Sequence, residues 1–174
     1  MKMKKWVFAL LIVSAVLTLG ICAVMNLKLI PAIEADAAGL RVPDMRFGYS
    51  KDALAAFFAA LGETGRDVYL HRQLPLDFFY PVAYAAFFAT AFLTLGGEAL
   101  RKKWPFVAVP VLLAVFDYGE NLCTLRFLKA GVTELASFAS LCTQSKTLLM
   151  YVCFILLIVL FVLFLLRRKK REKA

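Results

Sequence analysis

The chain predicts an all-α polytopic membrane protein, a four-helix transmembrane bundle carrying a short helical cap on its extracytoplasmic side. Three observations carry that expectation. The 174 residues are 62% hydrophobic with a mean hydropathy of +0.76, where soluble domains are roughly half apolar. Four apolar runs reach the roughly 20 residues that a helix needs to cross a bilayer. Lys and Arg gather beside the ends of those runs, as membrane topology signals do.

The first run, Trp6–Asn26, follows Lys2, Lys4 and Lys5, and Ala35-Asp36-Ala37 downstream resembles a signal-peptidase site. Its apolar core exceeds the usual ~7–15 residues of a signal peptide and the Ala-x-Ala lies far away, so an uncleaved signal anchor is the better reading. The loop 27–75 carries as many acidic as basic residues. Within it, Phe47-Gly48-Tyr49 reads as a turn. Ser50 can cap a helix over Lys51–Leu61 with an apolar face of Leu54, Phe57, Phe58 and Leu61, and Gly62 can stop it. Thr64 can cap a second helix, Gly65–Gln73, bearing Arg66, Tyr69, Arg72 and Gln73. Such amphipathic helices lie on a membrane or lid a bundle, and the small aromatic face here suits a lid.

The second run, Leu76–Gly97, opens at Leu74-Pro75, which fits a helix start. Pro81 has no N–H to give the Asp77 carbonyl. Either Asp77 is the N-cap of a kinked helix, or this turn offers a carboxylate and a free carbonyl beside Tyr80 and Tyr84. The third and fourth runs are Trp104–Leu125 and Ser145–Leu166, followed by a basic tail, 167–174.

With four spans, the N-terminal lysines, Arg101-Lys102-Lys103 and the tail share one side, which predicts a multi-pass protein of the cell (plasma) membrane with both termini cytoplasmic. The net charge of +9 is thereby explained by topology and by attraction to anionic head groups. No motif of nucleic-acid recognition competes with this, so no nucleic-acid partner is expected.

Function is best sought in the third run. On a helix, Asp117, Glu120, Asn121 and Thr124 stand at i, i+3, i+4 and i+7 and form one polar stripe. Carboxylates within a bilayer face a bundle interior or a wet cavity. At 1.5 Å per residue, Asp117 lies about 20 Å and Glu120 about 24 Å from the cytoplasmic boundary, and Lys146 of the fourth run about 30 Å. Asp77, Glu120, Asn121, Gln144 and Lys146 then share the outer third of the membrane, with Asp117 one turn deeper.

Three readings of this pocket stand. One is a structural clasp in which Lys146 pairs with Asp117 or Glu120 and Asn121 satisfies backbone. The second is a ligand site for a lipid or small amphiphile, formed by Asp77, Tyr80, Tyr84, Asp117, Tyr118, Glu120, Asn121 and Lys146, with Phe78 and Phe79 adding aromatic wall. The third is a small isomerase-like enzyme with Asp117 and Glu120 as catalytic acid and base.

His71 is the lone histidine, no C-x-x-C spacing occurs, and no Gly-rich phosphate loop is present, so neither a metal nor a cofactor is implied. Cys123 and Cys142 fall near the outer ends of the last two runs, which leaves a disulfide geometrically open, with free buried thiols the default among these and Cys22 and Cys153.

Phe47-Gly48-Tyr49, Gly65-Arg66 with Tyr69, Leu76-Asp77 with Tyr80-Pro81 and Tyr84, Asp117-Tyr118-x-Glu120-Asn121, Leu135-Ala136-Ser137, Thr143 and Lys146 form a pattern across residues 45–150. This pattern resembles an uncharacterised family of small bacterial four-helix membrane proteins with a D-x-x-E-N motif on the third transmembrane helix. The resemblance implies the same four spans and the same polar residues, and no activity. Two departures are Gly119, where a large apolar residue is usual and looser packing follows, and Gln144-Ser145, which makes the outer end of the fourth helix more polar. A looser analogy, of architecture only, is to the sterol-isomerase and sigma-2-receptor-like four-helix proteins. The expectation is an integral membrane protein that binds a lipid or small amphiphile or supports partner proteins. Membrane lipids are its expected partners, and a homo-oligomer is left open.

Overall fold

The computed structural model of the protein describes residues 5–97, 100, 103–132 and 134–172, with side chains as far as residue 170. Of the basic clusters, Lys2, Lys4, Arg101, Lys102 and Lys173 lie outside the described residues, as does the side chain of Arg171. The helices are α1 (Lys5–Asp36), α2 (Lys51–Ala60), α3 (Glu63–Gly96), α4 (Trp104–Ala130) and α5 (Ala136–Glu172). No strand occurs among the described residues. All but α2 are long and apolar enough to cross a membrane, which makes this an all-α, multi-pass membrane protein.

The spans are longer than hydropathy suggests. The first does not end at residue 26, and the loop 27–75 shrinks to 37–62, because α1 runs on to Asp36 and α3 begins at Glu63. The helix expected as a separate Gly65–Gln73 element is the opening of α3, with Gly62 rather than Thr64 as its N-cap. Two prolines that would break the ladder are absorbed in the same way. A π-turn at Met25–Leu29 precedes Pro31, and a second at Tyr69–Gln73 precedes Pro75. A wider i→i+5 turn just before a proline relocates the hydrogen bond that the ring cannot make. At the other end of the chain α5 continues to Glu172, so the basic tail starts as helix. There the Arg167 guanidinium donates to the Gly96 carbonyl at 3.1 Å, tying the ends of α5 and α3 together.

The cap is built from local chemistry. Ser50 accepts the Ala53 N–H at 3.1 Å and so caps α2, whose Leu54, Phe57 and Phe58 are buried against the bundle. Phe58 meets Phe127 of α4 edge-on, with ring centres 6.0 Å apart. The amphipathic helix therefore lids the bundle. Gly62 has no side-chain oxygen, and Asp36 at the end of α1 caps α3 in its place, accepting the Gly65 N–H at 2.8 Å. Arg66 donates to the Leu128 carbonyl at 2.7 Å and the Phe58 carbonyl at 3.3 Å, satisfying orphan acceptors near the ends of α4 and α2. A Cβ at Gly65 would lie 2.5 Å from Asp36 Oδ2 and 2.7 Å from Leu61 Cδ1. Gly65→Ala should therefore cost about 1 kcal/mol through overpacking, read as a lowered Tm.

In the bundle α1 packs on α3, α3 on α4, and α4 on α5. Two apolar cores result. The one at the cap end joins Met25, Ile33, Leu54, Phe57, Tyr69 and Phe127, among others. The other, toward the basic end, joins Tyr84, Phe88, Phe92, Leu113, Cys153 and Leu160. Between them lies a layer of buried polar side chains.

Candidate functional site

Helix periodicity puts Asp117, Glu120, Asn121 and Thr124 on one face of α4, and all four are buried. Gly119 lets α5 approach beside them. A Cβ there would sit 3.0 Å from Cys142 Sγ, so this glycine tightens the α4–α5 contact instead of loosening it. Across that contact stands Lys146. Its ammonium reaches Asp117 Oδ1 at 3.0 Å and Glu120 Oε2 at 2.5 Å. The remaining carboxylate oxygens are also met, Asp117 Oδ2 by the Tyr84 hydroxyl at 2.9 Å and Glu120 Oε1 by the Thr143 hydroxyl. An ion triad so completely bonded is a clasp holding α3, α4 and α5.

A second clasp repairs the proline kink. Asp77 is not an N-cap but lies well inside α3, and Asn121 Nδ2 donates to its carbonyl at 2.8 Å, the acceptor that Pro81 leaves unmet. One residue along, the Tyr118 hydroxyl donates to the Phe78 carbonyl at 2.8 Å, and the two rings stack with centres 6.0 Å apart.

The sequence-predicted set therefore separates. Asp117, Glu120 and Lys146 form the triad, with the Tyr84 hydroxyl donating to Asp117, while Asn121 and Tyr118 bind the kink. Tyr80 lies edge-on to Tyr84 with its hydroxyl against the Cys22 thiol, outside the triad. Phe79, expected as pocket wall, is 69% exposed on the outside of the bundle. Gln144 serves the cap: Gly48, at φ +120°, sits so close that a Cβ would lie 2.7 Å from its Nε2. The adjacent Tyr49 N–H donates to Ser140 Oγ at 2.9 Å, which fastens the cap loop to α5. All four cysteines are thiols, so Cys123 and Cys142 are unpaired.

One residue was missed. Asp44, in the short 3-10 turn Pro43–Met45, leans inward from the cap and interacts electrostatically with Lys146, Asp117, Asp77 and Glu120. Burial lifts its carboxyl above the ordinary value of 3.8; the Lys146 ammonium opposes the rise and the Asp117 charge adds to it. Burial and then the Glu120 charge push the nearby Tyr49 phenol up as well. Asp44 Oδ1 is buried without a hydrogen-bond partner, and so is Gln73 Oε1, whose own Nε2 donates to Asp77 Oδ2 at 3.1 Å. Asp44 and Gln73 thus each leave an acceptor unmet beneath the cap, whereas in the triad Glu120 Oε2 has the Lys146 ammonium as its ion-pair partner. Proline-flanked turns have no periodicity to betray an inward carboxylate, though the Asp between Pro43 and Met45 was a visible signal of local turn chemistry.

No three His, Cys, Asp or Glu side chains among the described residues converge closely enough to hold a metal ion. No protein-family profile matches the chain, nor does any curated protein or solved structure.

Proposed function

We propose that this is a binding protein of the cell membrane, with both termini cytoplasmic, that receives a small amphiphile beneath its extracytoplasmic cap. The signal-anchor reading of the first span and the placement of the basic clusters support the orientation. The observation that carries the binding reading is the pair of donorless acceptors, Asp44 Oδ1 and Gln73 Oε1, beside the bonded triad. A purely structural polar layer satisfies its buried groups, and those it leaves unmet call for an occupant. A groove of about 280 Å³ between α3 and α4, lined by Leu74, Pro75, Phe78 and Leu125 together with His71 and Lys129, lies on the helical turns neighbouring Gln73 and Asp77 and offers apolar wall to an alkyl chain. An acid–base role for Asp117 and Glu120 is less well supported, because their oxygens are already engaged.

The test is native mass spectrometry of gently solubilised protein beside Asp44→Asn, which leaves both clasps intact. A lipid-sized adduct on the wild type, depleted in the variant, supports the reading. No adduct, or equal occupancy in both, overturns it. The variant should fold well. A carboxyl whose native pKa is raised destabilises the fold progressively as pH rises above its unfolded value of 3.8. Asparagine removes that penalty, so Tm at neutral pH should rise and should vary less with pH.

A further inference from the structure

Resting on that reading, we propose that the head group bound beneath the cap is a protonated primary amine, held by Asp44, Gln73 and Asp77. Charge is the first argument. Asp44, Asp77, Asp117 and Glu120 lie within electrostatic reach of one another, and the cation among them is Lys146. Lys146 is committed to Asp117 and Glu120. Asp44 and Asp77 therefore have no ion-pair partner among the described residues, and a buried carboxyl without a counter-ion stays neutral until a positive guest pairs with it.

Hydrogen-bonding capacity is the second argument, and it is independent of the first. Gln73 is fully buried at 0% exposure, and the atom it leaves unpartnered, Oε1, can only accept. The same is true of ionised Asp44 Oδ1. An occupant that meets both atoms must donate in more than one direction. An alkylammonium has three N–H donors on a single charged nitrogen, whereas an alcohol has one and a carboxylate none. The third argument is shape. Asp44 and Asp77 lie in a setting where no three ligating side chains converge, which disfavours a bare metal ion that needs several oxygens at short range. An amine tethered to an alkyl chain needs no such cage, and the ring of Tyr69, buried within reach of Asp44 and Asp77, adds an aromatic wall of the kind that favours cations. In this proposal the chain lies along the groove of Leu74, Pro75, Phe78 and Leu125, on the turns of α3 that neighbour Gln73.

Thermal unfolding of the full-length protein in maltoside micelles tests this with dodecylamine, dodecanol, dodecanoate and dodecyltrimethylammonium at neutral pH. These probes share a tail and differ in head charge and donors. Dodecylamine should raise Tm saturably and bind about tenfold more tightly than dodecanol, with dodecyltrimethylammonium between them and dodecanoate giving no saturable shift. Asp44→Asn and, separately, Gln73→Leu should each reduce the preference for amine over alcohol. Equal or tighter binding of dodecanol or dodecanoate would leave an amphiphile site standing and overturn the amine assignment. If none of the four binds saturably, the binding reading fails with it. A preference for the amine that persists undiminished in both variants would place the amine elsewhere and overturn the proposal.

Discussion

Replacing Lys146 by methionine should destabilise the protein by about 3 kcal/mol, because it strands two buried carboxylates that now share one ammonium. The cost lies in the uncompensated charge and not in lost contact area, since methionine retains most of the apolar stem. A further measurement separates these causes. Installing Asp117→Asn and Glu120→Gln together with Lys146→Met should recover most of the loss, because a neutral layer of similar volume carries no desolvation penalty. A deficit unrelieved in the triple variant would mean that packing around the lysine stem, and not the ion triad, holds the three helices.

The second large effect is expected at Asn121. Truncation to alanine leaves the Asp77 carbonyl buried without a donor, at a cost of about 2 kcal/mol. The structure supplies an internal control. Pro81→Ala restores the N–H at the position that serves the Asp77 carbonyl in an unbroken helix. In that background Asn121→Ala should cost well under half as much, and a double-mutant cycle read by thermal unfolding measures the difference. Equal costs in both backgrounds would show that Asn121 acts through packing. The fold thus contains a proline and an asparagine, 40 residues apart in sequence, that act as one unit.

The polar stripe on α4 was legible because a 3.6-residue period leaves no other way to arrange Asp117, Glu120, Asn121 and Thr124, and the missing donor at Pro81 was legible from covalent structure alone. Their meeting was half legible, since depth along antiparallel helices brings Lys146 to the right level without saying which carboxylate it takes. The lengths of α1 and α3 were not legible. The first apolar run ends at Asn26 and Pro75 reads as a helix start, and only a π-turn, which has no composition signature, carries each helix across the proline that follows it. Asp44 was hidden for a different reason. Its direction depends on how residues 37–62 fold back across the helix ends, a long-range consequence of Asp36 capping α3, of Arg66 gripping α2 and α4, and of Gly48 seating on Gln144.

The ion triad also bears on how the chain enters a bilayer. Charged side chains near the middle of a helix inserting alone cost about 2.5–3.5 kcal/mol each, and α4 carries both Asp117 and Glu120. Lys146 is on α5, which follows after a turn of only a few residues. Each helix supplies the counter-charge that the other lacks. The two are therefore energetically a single insertion unit, a hairpin whose second half makes the first half soluble in lipid, and a ribosome-bound chain halted between them would hold a span that the membrane has reason to reject.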